Sequence, residues 1–494
     1  MRLDTSPETS WLTRHWPGLV ILLTFFIIGT LYVFYTPLWQ SPDEPAHYNY
    51  IRSLATGEGF PVLEVGDYDQ EYLAQLTSRR FPPELPIDSV RYEGHQPPLY
   101  YLLATPVYWI SGGSVMAIRM FSLALGSVGI GLIMLILLEY KPAHPGIAWL
   151  GGGLVALIPQ FVAMMSAINN DALTMALLWL WLWLALRYLR GQTSPLVLGG
   201  ILGALLVTKT TGYGALILAV LVVYLRDRRA GQPFGQTARE LLSILIPGLL
   251  IGGMWWTRNL VVYGWPDVMG LIRHDVVVVG QPRAADWIAQ QGLLPFLWGA
   301  GRTTFRSFWG QFGWMGVVLD ARIYQGLAIF SGLVLWGAAW RLREALRQAM
   351  KPRQRDLLIL LGTSAGISLS MFLVYNLTFV QHQGRYLFPA LPIIALTGAL
   401  GLQRLVERKL AVGTALVMLV GSLIAGGVGL LLSALPMWPL ALMGAAIALL
   451  FAAAFVPQRW HSVVGAGLLF AMAALNVWCL FGFIVPLLTQ TGRF

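Results

Sequence analysis

A chain of 494 residues that is 56% hydrophobic and only 11% charged is not composed like a soluble protein, whose domains carry about 25% charged residues. Its mean hydropathy is +0.65 and its formal net charge is +10. That charge does not mark a nucleic-acid binder, because the basic residues cluster in short gaps between apolar runs, where membrane proteins carry them in cytoplasmic loops. The single cysteine, Cys479, lies in an apolar run, which leaves no intrachain disulfide and no cysteine metal site.

The apolar runs recur at lengths of roughly 17–25 residues, enough to cross about 30 Å of hydrocarbon. In lipid the backbone must satisfy its own hydrogen bonds, so these runs are helices. The first, about 16–38, lacks a small-residue cleavage site and reads as a retained anchor. With Arg2 and Arg14 inside, it leaves the membrane near Gln40. A long outer loop rich in Pro, Tyr and acids follows, and 97–113, with two prolines and many aromatics, suits an interfacial or re-entrant helix. The second span, about 119–138, ends inside at "EYKPAHP", and the third, about 147–168, exits at "NND" (Asn169 to Asp171).

The fourth span returns to "RYLRGQ". The fifth and sixth form a hairpin broken at "TKTTG", with Lys209 at its outer tip. The seventh, about 241–262, exits at "WWTRNLVVYG" and opens a second outer segment, about 264–320. The eighth ends in the basic stretch "RLREALRQAMKPRQR", the ninth exits at "QHQGRYLFP", the tenth returns to "QRLVERK", and three more finish the chain. The reading is an all-α polytopic membrane protein of about thirteen spans, N-terminus cytoplasmic and C-terminus outside, with every basic cluster on the inner face.

This sidedness sorts the polar residues. Asp43, Glu44, His47, His95, Asp171, Lys209, Arg258, His382 and Arg385 all fall at outer helix ends or in outer loops, although they come from distant parts of the sequence. Ionisable groups near hydrocarbon are costly and usually functional. Singly, each is equally well an interfacial residue or half of an ion pair inside the bundle. Together they read as a site open to one face.

The pair "DE" (Asp43, Glu44) just after the first span resembles the acidic pair in the first outer loop of the GT-C superfamily of integral-membrane glycosyltransferases. "HQPPLYY" (His95 to Tyr101), "NNDAL", "TKTTG", "TRN" and "RYLFP" follow in the order seen in the protein mannosyltransferase and aminoarabinose transferase branch, over about 16–402. The form "PDEPAHYNY" is similar to a prokaryotic branch of that superfamily. The resemblance implies a GT-C-type fold, with a catalytic module over 1–402 that includes outer loops at about 40–113 and 264–320, and accessory helices over 403–494. It implies transfer of a sugar from a polyprenyl-phosphate carrier to a glycan, lipid or protein acceptor on the extracytoplasmic face of the plasma membrane.

Asp43 matches the base position of the family. A carboxylate there can take the proton of the attacking hydroxyl, and an inverting displacement needs only one, leaving Glu44 to orient it, bind acceptor or metal, or cap a helix. "SPDE" is also an ordinary helix start, with Ser41 as N-cap and Pro42 in the first turn. The leaving lipid phosphate calls for cations, for which Arg385, Lys209 and Arg258 are the candidates, with Tyr386 assisting. Snorkelling to the headgroups is the plainer explanation of all three. Asp171 is either a contact to acceptor or sugar or a helix N-terminal acid, and His95 and His382 are candidate substrate contacts. No cofactor is required, but a divalent ion stays open: Glu44 and His47, one helix face apart at i, i+3, offer oxygen and imidazole ligands, with Asp43, His95 or His382.

No P-loop or dinucleotide fingerprint stands in a strand–helix context. The alternative from another class is a transporter or flippase of lipid or lipid-linked sugar. Such a protein places ionisable groups in mid-span, whereas here the spans are mainly Leu, Ala, Gly and Val.

Overall fold

The structure, a computed structural model, describes residues 11–231 and 233–489. Arg2 and the side chain of Arg14, used above for orientation, lie outside what it describes. The chain folds as a helical membrane bundle. Helix α1 (Trp11–Tyr35) leads into α2 (Glu44–Thr56), α3 (Gln70–Ser78) and a one-turn 3₁₀ helix at Tyr92–His95. Then come α4 (Leu99–Ser111), α5 (Val115–Tyr140), α6 (Gly146–Ala156), α7 (Pro159–Met165) and α8 (Asp171–Tyr188). The hairpin α9 (Pro195–Leu206) and α10 (Gly214–Ala230) precedes α11 (Phe234–Tyr263).

The segment after α11 is itself helical: α12 (Leu271–Val277), α13 (Ala284–Gln291) and α14 (Leu293–Trp309). It ends in a small antiparallel hairpin of β1 (Gln311–Phe312) and β2 (Val317–Val318), which pairs Gln311 with Val318 and Phe312 with Val317. The last part holds α15 (Ala321–Ala345), α16 (Pro352–Thr378), a 3₁₀ stretch at Gly384–Ala390, α17 (Leu391–Leu405), α18 (Arg408–Leu431), α19 (Met437–Phe455) and α20 (His461–Cys479).

Ten of the described helices are long and apolar enough to cross a membrane, or eleven if the bent pair α6 and α7 counts as one span. The expected thirteen also includes α8, of 18 residues, and α9, of only 12, which do not meet the same test. The third span is not one rod. It bends by 72° between α6 and α7, where Pro159 starts the second helix and can donate no hydrogen bond back across the break. The 97–113 segment is the short α4, packed against α2 and α5, as its length and prolines predict.

The core is built where apolar faces meet: α5 packs on α1, α6 and α8, and α17 on α15 and α6. Trp179 and Trp181 of α8 are fully buried there. The contact of α15 with α17 is close enough to require glycine on both sides, since a Cβ on Gly337 would stand 2.2 Å from the Gly401 carbonyl oxygen. Helix α20 joins this main core through Met472 and Cys479, whereas α18 and α19 form their own small cluster around Ala415, Ile447 and Leu450.

Basic gaps from separate parts of the chain meet at one end of the bundle. Glu139, near the end of α5, accepts from Arg190 and from Arg353 (2.5 Å), and Arg229 pairs with Asp356. Arg119 begins the same helix at the other end, so the basic face and the acidic pair lie a full α5 apart.

Candidate functional site

The two acids after α1 point in opposite directions. Asp43 is the N-cap residue of α2, with Pro45 in the first turn, and its backbone is left-handed (φ 67°, ψ −7°). This corrects the expectation that Ser41 caps the helix. A non-glycine residue in this region is uncommon, though Asp tolerates it better than most. The Asp43 side chain does not cap α2. It instead accepts from Arg385 Nη2 (2.7 Å) and from the Tyr92 hydroxyl (2.8 Å).

Glu44 turns the other way and is wholly buried. Its carboxylate accepts from Arg119 Nε (2.7 Å) and Nη2 (2.6 Å), and from the backbone N–H groups of Trp39 (3.1 Å) and Ile168 (3.2 Å). The remaining Arg119 bonds run to the carbonyls of Val33, Thr36 and Pro37 at the end of α1. This buried pair therefore has its polar atoms fully used, and it ties α1, α2 and α5 together.

In front of Asp43 opens a cavity of about 530 Å³, lined among others by Asp43, Glu93, His382, Arg385, Tyr386 and Trp314. Its walls come from the segment after α1, the segment between α11 and α15, and the 3₁₀ stretch before α17. Arg385 reaches it because Gly384 packs against α14: a Cβ there would lie 2.4 Å from the Phe308 backbone nitrogen, and the Gly384 N–H donates to Ser307 Oγ (2.7 Å). Arg385 is buried, its Nη1 faces Met164 Sδ (3.9 Å), and its Nε has no hydrogen-bond partner. Tyr386 stands beside it, with the guanidinium carbon 5.3 Å from its ring centre.

Just off the cavity, Lys209 donates to Asp171 (2.7 Å). Asp43, His47, Glu93, Asp171, Lys209 and Arg385 lie close enough to feel one another's charge. Three further expected residues lie outside this group, and His47 within it has its own partner. Arg258 is bound to the first outer loop through the Pro61 carbonyl and stacks on Trp255 at 4.6 Å. His95 bonds the Tyr92 carbonyl (3.1 Å) and packs its ring 4.6 Å from that of His274. His382 lines the cavity edge-on to Phe296, its Nε2 without a partner. His47 is buried on α2 with Nδ1 2.9 Å from the Tyr101 hydroxyl.

Glu44 and His47 thus have other partners, and among the described residues no three His, Cys, Asp or Glu side chains gather as a metal site. The sequence reading gives no role to Tyr92, Glu93 or Tyr101; their signal is the stretch "YEGHQPPLYY", of which it uses the motif "HQPPLYY" and assigns a role to His95 alone.

The electrostatics separate the two acids of the cavity wall. Burial pushes the Asp43 carboxyl up, but Arg385, with help from His47 and the Tyr92 hydroxyl, outweighs it and holds the carboxyl below its ordinary range. Glu93 forms no ion pair among the described residues, and burial raises it although His47 and Lys209 pull the other way. Burial also lowers His47 and His382, and takes His95 to about 4. The site thus combines histidines whose proton affinity burial lowers with a cation-bound Asp43 held low.

Residues 95–250 match the family model of dolichyl-phosphate-mannose-protein mannosyltransferase. That match, on a polytopic helical chain, makes the protein a membrane glycosyltransferase. Over that stretch, which holds His95, Asp171 and Lys209, it resembles the protein mannosyltransferase branch of the GT-C superfamily. The fold is similar to that of ArnT from Cupriavidus metallidurans bound to undecaprenyl phosphate, at 18% identity and TM-score 0.48 over 95% of this chain and 77% of that one. For the same protein in the apo state the values are 17%, 0.47, 95% and 73%. It is also similar to the archaeal oligosaccharyltransferase AglB from Archaeoglobus fulgidus in complex with an inhibitory peptide and a dolichol-phosphate, at 15% and 0.41 over 92% and 58%. No curated protein sequence matches the chain.

Proposed function

We propose that the protein transfers a sugar from a polyprenyl-phosphate donor to an acceptor hydroxyl on the extracytoplasmic face of the plasma membrane, by inverting displacement. One observation carries this reading: Asp43 and Arg385, 342 positions apart in sequence, meet at 2.7 Å on the wall of one cavity. In this reaction the acceptor oxygen attacks the anomeric carbon and its proton passes to Asp43. The bond from that carbon to the phosphate oxygen breaks, and the electron pair leaves with the phosphate. Arg385 faces the charge that develops there, with Lys209 behind it, which is where fixed cations lower the barrier most.

The same geometry couples donor to base. Asp43 and the phosphate are two anions that share Arg385. A phosphate that draws on the guanidinium relieves its hold on Asp43 and raises the proton affinity of the carboxylate toward that of a working base. Glu44 in this reading is a positioning residue, which fixes the backbone turn that aims Asp43. Residues 1–402 carry the catalytic module and 403–494 are accessory helices. The N-terminus is cytoplasmic, so the basic end of the bundle faces the cytoplasm and the cavity faces outward.

The test compares wild type with Asp43→Asn in bilayer discs, with a panel of polyprenyl-phosphate sugars, and follows release of lipid phosphate. Release is expected to fall roughly 10²- to 10⁴-fold in the variant while lipid phosphate still binds. Undiminished release would remove Asp43 from the base role. Tight lipid binding with no release from any donor would favour a lipid-transport protein.

A further inference from the structure

Asp43 and Glu93 are the two carboxylates on the cavity wall, and their partners differ completely. Asp43 is bonded to Arg385 and Tyr92. Among the described residues Glu93 forms no ion pair, and its Oε2 is buried without any hydrogen-bond partner. A buried polar atom left unpaired is expensive and asks for a reason.

The backbone at Glu93 is held in place. Its 3₁₀ turn is closed by the Gly94 N–H to Arg91 (3.0 Å) and the Gln96 N–H to Glu93 (2.9 Å). The loop before it is held by Asn49, which donates to the carbonyls of Ile87 (2.7 Å) and Val90 (2.9 Å). The groups that face Glu93 from other elements are His47 and Asp43 of α2, Lys209 after α9, Tyr101 of α4 and Tyr375 of α16. None of them bonds Oε2.

We infer that Glu93 is a substrate-contacting residue whose Oε2 bonds a hydroxyl of the sugar being transferred. This rests on the glycosyl-transfer reading. The sugar must lie between the carboxylate that takes the acceptor proton and the cations that hold the leaving phosphate. Glu93 feels the charges of both Asp43 and Lys209 and lines the cavity, so its carboxyl borders that space. Burial raises the carboxyl although His47, Lys209 and a hydrogen bond from Gln96 pull it down, and a carboxyl without an ion-pair partner is free to bond a sugar hydroxyl, which leaves base chemistry to Asp43. A site built to bond a hydroxyl also rejects a ligand that lacks it, because the buried group is then left unpaired.

The experiment measures binding of full-length protein in bilayer discs to undecaprenyl phosphate, and to the same lipid carrying glucose, mannose or galactose on the phosphate. Wild type is expected to bind one sugar-bearing lipid more tightly than the bare lipid. Glu93→Ala should lose roughly tenfold of that preference, about one hydrogen bond, with affinity for bare undecaprenyl phosphate unchanged. Glu93→Gln, which keeps a hydrogen-bonding group at the same place, should retain most of the preference. A Glu93→Ala protein that keeps the full preference, or that weakens for bare and sugar-bearing lipid equally, overturns the inference while leaving Asp43 in place. A wild type that prefers no sugar, together with undiminished release by Asp43→Asn, overturns the glycosyl-transfer reading itself.

Discussion

Glu44 and Asp43 are neighbours in the chain, yet one belongs to a sealed seam and the other to an open wall. Behind α2, Glu44 and Arg119 are both fully buried, and between them they satisfy two backbone N–H groups and three carbonyls. In front, Asp43 keeps 24% of its side chain exposed and Arg385 carries an unpartnered Nε. Both are Arg–carboxylate pairs of ordinary length. What separates a structural pair from a working one is the unused capacity: a saturated pair has nothing left to offer a ligand, while an unsaturated one in a cavity wall does.

That contrast is most directly broken at Arg119. Arg119→Met should cost about 3–5 kcal/mol of stability, because it strands a buried charge on Glu44 and leaves the end of α1 uncapped. Thermal unfolding in detergent measures it, and pairing the change with Glu44→Leu should recover much of the loss. An unchanged midpoint in Arg119→Met would mean that the seam is not the structural half of the comparison.

At the open wall the prediction concerns turnover. Arg385→Lys keeps the charge but loses the planar fork, so lipid-phosphate release should fall about 10²-fold with little change in unfolding. A variant that releases at the wild-type rate would show that a point charge suffices.

The smallest effect is on acid stability. Asp43 is held low in the folded state, so its ionised form contributes stability above the ordinary carboxylate range of about 4. That contribution fades as the pH falls below this range, and it is gone once the pH passes below the lowered folded value. The unfolding midpoint of wild type should drop more between pH 5 and 3 than that of Asp43→Asn. Parallel curves would place the acid sensitivity elsewhere in the molecule.

Much of the architecture was legible because lipid leaves the backbone little choice. The spans around α1, α5, α11 and α16 were readable from length and hydropathy, and the short α4 from its prolines. Asp43, His382, Arg385 and Tyr386, which line one cavity, could be grouped in the sequence by their shared side of the spans, whereas Arg258 and His95, grouped with them, do not line it. The bend at Pro159 was not readable, since a proline in an apolar run is equally compatible with a straight helix that starts or ends there. Glu93 went unnoticed because a lone loop acid has no periodicity. Its meaning lies in the absence of a partner, and that is a three-dimensional property.

The sequence by itself determined that the chain crosses a membrane many times as helices, with its basic gaps and its candidate acids and cations at opposite helix ends. The tertiary structure alone decided how those charges are shared. A left-handed turn at Asp43 sends it and Glu44 to opposite sides of α2, and packing of the 3₁₀ stretch on α14 brings Arg385 to Asp43 rather than to Glu93. Hydropathy acts residue by residue and survives in one dimension, whereas the worth of a charge depends on distance and on what water remains, which only the folded chain defines.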